Sequence, residues 1–345
     1  MLFFQKFYLF LHTDRVLVTP SDLYGGYYFR HRKQMKHLFL ILTLFLLASC
    51  NTASRKTAAD EKPVIIVTIE PLRYFTEAIA GDRFTVVSMV PKGSSPETYD
   101  PTPEQLMKLA GSKAYLRIGH IGFEQVWLDR LSSNAPHLPF YDMSRGIDLI
   151  FDESHAHHHG PANDIDGEET EIADTTDESA PLPGVEPHVW NSAANAQIIA
   201  ANIMRTLCNI DKQGEDLYLQ RYDSLRRRID RVDSLCRQTL NAPEADHAFM
   251  IYHPALSYFA RDYDLHQLPI EADGKEPSPA HLKELISEAR QEKVEVVFVQ
   301  PEFDRRNAEL VAKQVGARVV DINPLAYDWE AEMLAVANAL AGKRE

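Results

Sequence analysis

From residue 63 onward, short apolar runs alternate with amphipathic stretches. Residues 64–69 are apolar and largely β-branched, which predicts a buried strand. A helix over 71–80, a strand over 84–90, a helix over 103–110, a strand over 114–118 and a helix over 123–131 follow. Strands alternating with helices predict a parallel sheet covered on both faces. The pattern stops near Asp152 and resumes with a helix over 194–207. Residues 214–240 then read as one long helix. Leu217, Tyr222, Leu225, Ile229, Val232 and Leu235 recur at spacings near three and four, and Arg226, Arg227, Arg231 and Asp233 hold the opposite face. At 1.5 Å per residue this helix is about 40 Å long, enough to run along a whole domain. A second alternation follows: strand 248–252, helix 255–262, strand 268–271, helix 279–291, strand 294–299, helix 306–315, strand 318–322 and helix 329–341.

The fold class expected is therefore α/β, with two lobes around central parallel-type sheets joined by one long linker helix. The amino-terminal lobe covers 63–213, the linker 214–240 and the carboxy-terminal lobe 241–345. No internal repeat is evident at residue level.

The amino terminus has a different pattern. Residues 38–49 form a run of apolar or small residues, too short to span a bilayer, which needs roughly 20, but of signal-peptide length. Arg30, Arg32, Lys33 and Lys36 precede it, and it ends in Leu47-Ala48-Ser49-Cys50, which resembles a bacterial lipobox. This predicts a lipoprotein signal over 35–50, lipidation at Cys50 and a polar tether over 51–62. Met35 stands where translation of such a signal should begin, so residues 1–34 read as a non-native upstream extension.

Apolar residues make up 45% of the 345, enough for substantial cores, and the formal net charge is −14. Residues 1–50 carry six Lys or Arg against two Asp or Glu, so the remainder is more acidic than the whole. An acidic body excludes nucleic acid as a partner and suits attraction of cations. Between Gly146 and Met204 there is no Lys or Arg. Within that stretch His155, His157, His158 and His159 precede a run of acidic residues with few large apolar ones, so 154–184 reads as a disordered insertion with weak auxiliary metal sites. Of the three cysteines, Cys208 lies near a predicted chain reversal and Cys236 about 33 Å along the next helix. A disulfide needs Cα atoms within about 7 Å, so both are expected unpaired.

Three predicted loops carry metal-capable side chains. Residues 91–101 contain Glu97, residues 186–191 contain His188, and His253 follows the strand ending at Tyr252. Ligands of open parallel sheets bind at the carboxyl ends of strands, which would bring these loops to one cleft. His120, after the strand over 114–118, is a further candidate for that cleft.

The chain resembles the zinc/manganese substrate-binding proteins of ABC transporters, the cluster A-I or ZnuA-like family. The matching text is Gly93-Ser94-Ser95-Pro96-Glu97-Thr98-Tyr99-Asp100-Pro101, Gly122-Phe123-Glu124 and Glu186-Pro187-His188-Val189-Trp190. It continues with residues 253–260, Gly274-Lys275-Glu276-Pro277-Ser278-Pro279 and Asn323-Pro324-Leu325. The resemblance covers roughly 63–340. It implies two lobes with a metal ion between them, His188 and His253 as ligands, and an ABC permease as partner. It also implies a periplasmic or cell-surface location, with the membrane reached through the lipid anchor, and a monomer. The family has His where this chain has Glu97. Its Asp before Pro-Leu aligns with Asn323, for which Asp321 is the alternative. Imidazole suits Zn²⁺, whereas added carboxylate moves preference toward Mn²⁺. Zn²⁺ is the expected cargo, and Mn²⁺ the alternative. A metal-storage or adhesin-like surface lipoprotein is a competing reading, and a zinc hydrolase another. No H-E-x-x-H, G-x-S-x-G or Walker A text occurs, so no enzyme activity is expected.

Overall fold

The computed structural model describes residues 62–151, 184–271 and 277–342. Cys50, the signal, all of the tether but Lys62, the four loop histidines and nearly all of the predicted insertion lie outside the described residues.

The amino-terminal lobe is built on β1 (Val64–Val67), β2 (Thr85–Ser88), β3 (Ala114–Arg117) and β4 (Phe140–Asp142). All pairings are parallel, in the order β2-β1-β3-β4. Helices α1 (Glu70–Ala80), α2 (Pro103–Ala110), α3 (Gly122–Asn134) and α4 (Ala193–Ile210) belong to this lobe. Local chemistry sets the helix starts. Thr102 caps α2 in a reciprocal capping box with Gln105 and Pro103 opens the helix, while the Ser192 side chain caps α4.

The linker is α5 (Glu215–Leu240), with Glu215 and Asp216 in its first turn and Arg237 in its last, charges that complement the helix dipole. Its buried face runs through Tyr218, Leu225, Ile229, Val232, Cys236 and Leu240. That stripe is rotated from the one read in the sequence, and Leu235 is 40% exposed.

The carboxy-terminal lobe repeats the topology of the first. Its strands β5 (Ala248–Ile251), β6 (His266–Pro269), β7 (Val296–Val299) and β8 (Arg318–Asp321) are parallel in the order β6-β5-β7-β8. Around them lie α6 (Ser257–Asp262), α7 (Pro279–Gln291), α8 (Arg305–Val315) and α9 (Trp329–Leu340). β6 starts two residues before the predicted 268–271. β4, only three half-buried residues long, was not predicted because so short an edge strand carries no period.

The linker packs against α1 and α4 on one side and α9 on the other. Helix α9 returns the chain end to the first lobe, where Trp329 packs 5.2 Å from Phe75 and the Tyr74 hydroxyl donates to Glu330. One apolar core therefore runs through both lobes, and a second, smaller cluster lies under α7 and α8. Cys208 and Cys236 are both buried and unpaired. No described helix is long and apolar enough to cross a membrane.

Candidate metal centre

In an open parallel sheet of this order, adjacent connections diverge at the carboxyl ends of the two central strands and leave a crevice there. In the second lobe those strands are β5 and β7. His253 leaves β5, and the Gln300-Pro301-Glu302-Phe303 turn leaves β7. Gln300 is buried and holds the His253 backbone at both ends. Its Nε2 donates to the His253 carbonyl (2.6 Å), and its Oε1 accepts from the His253 amide (3.3 Å). The Phe303 ring stacks on the imidazole, 5.3 Å between centroids and 21° between planes.

His188 arrives from the other side, on the segment that runs from Gly184 to α4. That segment is fixed by bonds to both lobes. The Glu186 amide donates to the Ile150 carbonyl (2.9 Å), and the Tyr258 hydroxyl donates to the Glu186 carbonyl (2.9 Å). Asn191 Nδ2 donates to the Ala255 carbonyl (2.8 Å). The two tryptophans complete the seam. Trp190 Nε1 donates to the Pro324 carbonyl (2.8 Å), and Trp329 Nε1 donates to the Trp190 carbonyl (2.7 Å).

The two imidazoles meet with Nε2 atoms 3.3 Å apart. Each Nδ1 lies 2.5 Å from a carboxylate oxygen, His188 from Glu186 and His253 from Glu271. An ionised carboxylate only accepts, so each imidazole places its proton on Nδ1. Both Nε2 lone pairs then face the same gap. Two nitrogens bound to one tetrahedral Zn²⁺ at about 2.0–2.1 Å would themselves lie about 3.3–3.4 Å apart. Burial by itself lowers the His253 pKa. The hydrogen bond and charge of Glu271, with the charges of Glu97 and Glu186, outweigh it and leave the pKa above its ordinary 6.5.

Glu97 lies on the wall of the same cavity, which Ser95, Pro96, Glu302, Phe303, Pro324 and Leu325 also line. The space it leaves for the centre of a water-sized particle is about 30 Å³, enough for an ion or a few waters. The Glu97 amide donates to Ser95 Oγ (3.2 Å), and its carboxylate lies against Gly122 at the start of α3. A β-carbon at residue 122 would collide with Glu97 Oε2, so the glycine makes room for this side chain. Among the described residues no three His, Cys, Asp or Glu donors close on a single point, although the two histidines do.

Three expected donors are placed elsewhere. Asn323 turns its Oδ1 onto the Leu325 amide (3.1 Å), closing its own turn. Asp321 pairs with Arg305, its side chain 75% exposed. His120 is buried in the first lobe, and its Nδ1 has no polar partner among the described residues. Its pKa is lowered by burial and by Arg117, against the raising charge of Asp142. None of the three lines the cavity. Sequence reasoning in turn missed Glu271, Gln300 and Glu302. Glu186 stood in the quoted Glu-Pro-His text but gave no sign that it binds the histidine two residues on. Glu271 is 18 residues from His253, too far for any local signal.

The model of the zinc-uptake complex component A, periplasmic, family matches residues 65–341. The high-affinity zinc uptake system protein ZnuA of Bacillus subtilis (strain 168) is 28% identical over 301 residues, covering 85% of this chain and 89% of that protein. The iron ABC transporter substrate-binding lipoprotein MtsA of Streptococcus pyogenes serotype M6 is 25% identical over 297 residues, covering 83% and 87%. A crystal structure of ZnuA superposes with a TM-score of 0.70 at 32% identity, covering 82% of this chain and 99% of that one.

Proposed function

Because the chain belongs to the periplasmic zinc-uptake complex component A family, we propose that it captures a divalent transition-metal ion and delivers it to an ABC permease. The observation that carries this reading is the pair of Nε2 lone pairs facing each other across 3.3 Å. Two bare lone pairs at that distance repel, and a cation between them removes the repulsion. Glu186 and Glu271 hold the rings with those nitrogens aimed inward, as carboxylates behind metal-bound histidines do. Glu97 swings in from the α3 terminus as a third ligand. Zn²⁺ is the cargo that two imidazoles favour, and Mn²⁺ is the alternative that the carboxylate admits. The His/acid segment gathers further ions weakly and is dispensable for the cleft.

The protein works as a monomer outside the cytoplasm, anchored through a lipid on Cys50. Cys50→Ala should release it from the membrane or leave it unprocessed, as fractionation would read. Anchoring as before removes the lipoprotein reading.

Calorimetry with Zn²⁺ and Mn²⁺, on protein with and without residues 155–182, tests the cleft. One tight site should survive the deletion, and His188→Ala or His253→Ala should each weaken it by more than about tenfold. If both variants bind as tightly as the parent, the cleft is not the capture site.

A further inference from the structure

Two imidazoles and Glu97 leave a tetrahedral ion one donor short. The second lobe holds an unassigned carboxylate beside them, Glu302. It lines the same cavity, is half-buried, and makes no hydrogen bond or ion pair among the described residues. Its place in the topology is specific. Residues 300–303 leave β7, and β7 and β5 are the central strands whose divergent connections open the crevice. His253, leaving β5, and Glu302, leaving β7, are thus the His and carboxylate groups that the second lobe contributes to the lining of this cavity. The turn carrying Glu302 is held in place. Gln300 is bonded to the His253 backbone on one side of it, and Phe303 stacks on the His253 ring on the other. Both donors at the 321–323 loop are committed elsewhere, Asn323 to its own turn and Asp321 to Arg305.

Building on the capture reading above, we infer that Glu302 is the fourth ligand of the captured ion and sets the metal preference of the cleft. Each lobe then supplies one imidazole and one carboxylate, Glu97 with His188 and Glu302 with His253. Two neutral imidazoles and two carboxylates cancel the charge of a divalent ion. An N₂O₂ set keeps Zn²⁺ while admitting the oxygen-preferring Mn²⁺. All four groups line one cavity, and since no three of them close on a single point among the described residues, side-chain movement onto the ion completes the set.

The test is calorimetry with Zn²⁺ and with Mn²⁺ on Glu302→Gln, Glu302→His, Asn323→Ala and Asp321→Asn, beside His188→Ala. Absorption spectra of the Co²⁺-loaded proteins give a second readout. Loss of a group that merely supports a ligand costs metal affinity about 10–100-fold, so loss of a ligand should cost at least about tenfold. Glu302→Gln should reach that loss for both ions, more for Mn²⁺, and should alter the Co²⁺ bands. Glu302→His should restore Zn²⁺ but not Mn²⁺ binding. Asn323→Ala and Asp321→Asn should stay near the parent for both ions. If Glu302→Gln binds like the parent while His188→Ala loses the site, Glu302 is not a ligand and the capture reading stands. If His188→Ala also binds like the parent, both fall. A tenfold loss in Asn323→Ala or Asp321→Asn, with Glu302→Gln unaffected, returns the fourth ligand to the 321–323 loop.

Discussion

At the scale of single residues, the site depends on carboxylates that sit behind the histidines. Glu271 aims the His253 ring and raises its pKa against the lowering effect of burial. Two opposite pH effects follow. In the metal-free protein, a raised histidine pKa stabilises the fold fully below the ordinary 6.5, and that contribution is lost as pH rises through the raised value. Metal binding needs the unprotonated ring, so affinity falls as pH drops through the same value. Zn²⁺ should therefore raise the melting temperature more above neutrality than in mild acid. Glu271→Gln removes the charge that raises the pKa, so the fall in affinity should move to lower pH. At alkaline pH its affinity should also be weaker, by up to about 10–100-fold, because a neutral amide oxygen holds the ring less firmly than a carboxylate. Zinc titrations of both proteins across pH would read this. An unchanged pH midpoint in Glu271→Gln would mean that His253 is not governed by this pair. These carboxylates were hidden in the sequence because a hydrogen bond between residues 253 and 271 follows from the pairing of β5 with β6, which no local spacing reveals.

At the scale of elements, the connection from β3 to α3 turns on one buried acid. Glu124 accepts from the Ile118 amide (2.9 Å), from the Gly119 amide and from the Thr68 hydroxyl, tying the ends of β1 and β3 to the first turn of α3. Gly119 has φ +100°, a left-handed conformation that suits glycine, and a β-carbon there would meet the Asp142 carboxylate at 2.8 Å. Burial pushes the Glu124 carboxyl up to about 7 from its ordinary 4.5, although the three hydrogen bonds and Arg117 pull it down. The folded protein then binds a proton between those values that the unfolded chain has released. Stability consequently falls as pH rises from about 4.5 to about 7, the reverse of a salt-bridged carboxylate. Glu124→Gln should flatten this part of the profile. Urea unfolding of the metal-free protein at about pH 5 and about pH 7.5 would measure it, and equal slopes in both proteins would sink the assignment. The Gly122-Phe123-Glu124 text was legible as a motif, but its task as a clamp between two strands was not.

At the scale of the whole molecule, the two lobes are joined by more than the linker. A continuous core, the bonds of Trp190 Nε1 to the Pro324 carbonyl and of Trp329 Nε1 to the Trp190 carbonyl, and the return of α9 all cross between them. A cleft built on such a seam has no free hinge, so ion capture moves side chains and loops more than lobes. Solution scattering should find the radius of gyration of metal-free and zinc-loaded protein equal to within about 1 Å. A larger contraction would mean that the seam opens. Capture should still stabilise the fold, by about 2.7 kcal/mol at a hundredfold excess over Kd, because the ion binds only the folded cleft.

The sequence by itself determined the alternation of strands and helices, the two lobes, the linker and the two histidines. Each of these depends on local periodicity or on short contiguous text. Only the tertiary structure decided which carboxylates lie beside the two histidines. Asn323 was readable as a motif position, but its side chain closes its own turn. Glu302 carried no readable signal, yet it lines the cavity because β7 lies next to β5. The repeated strand order of the two lobes was equally invisible, since strand order is set by packing between distant segments. A cavity for one ion depends on which side chains the fold brings within about 3 Å of one another, and sequence spacing does not encode that distance.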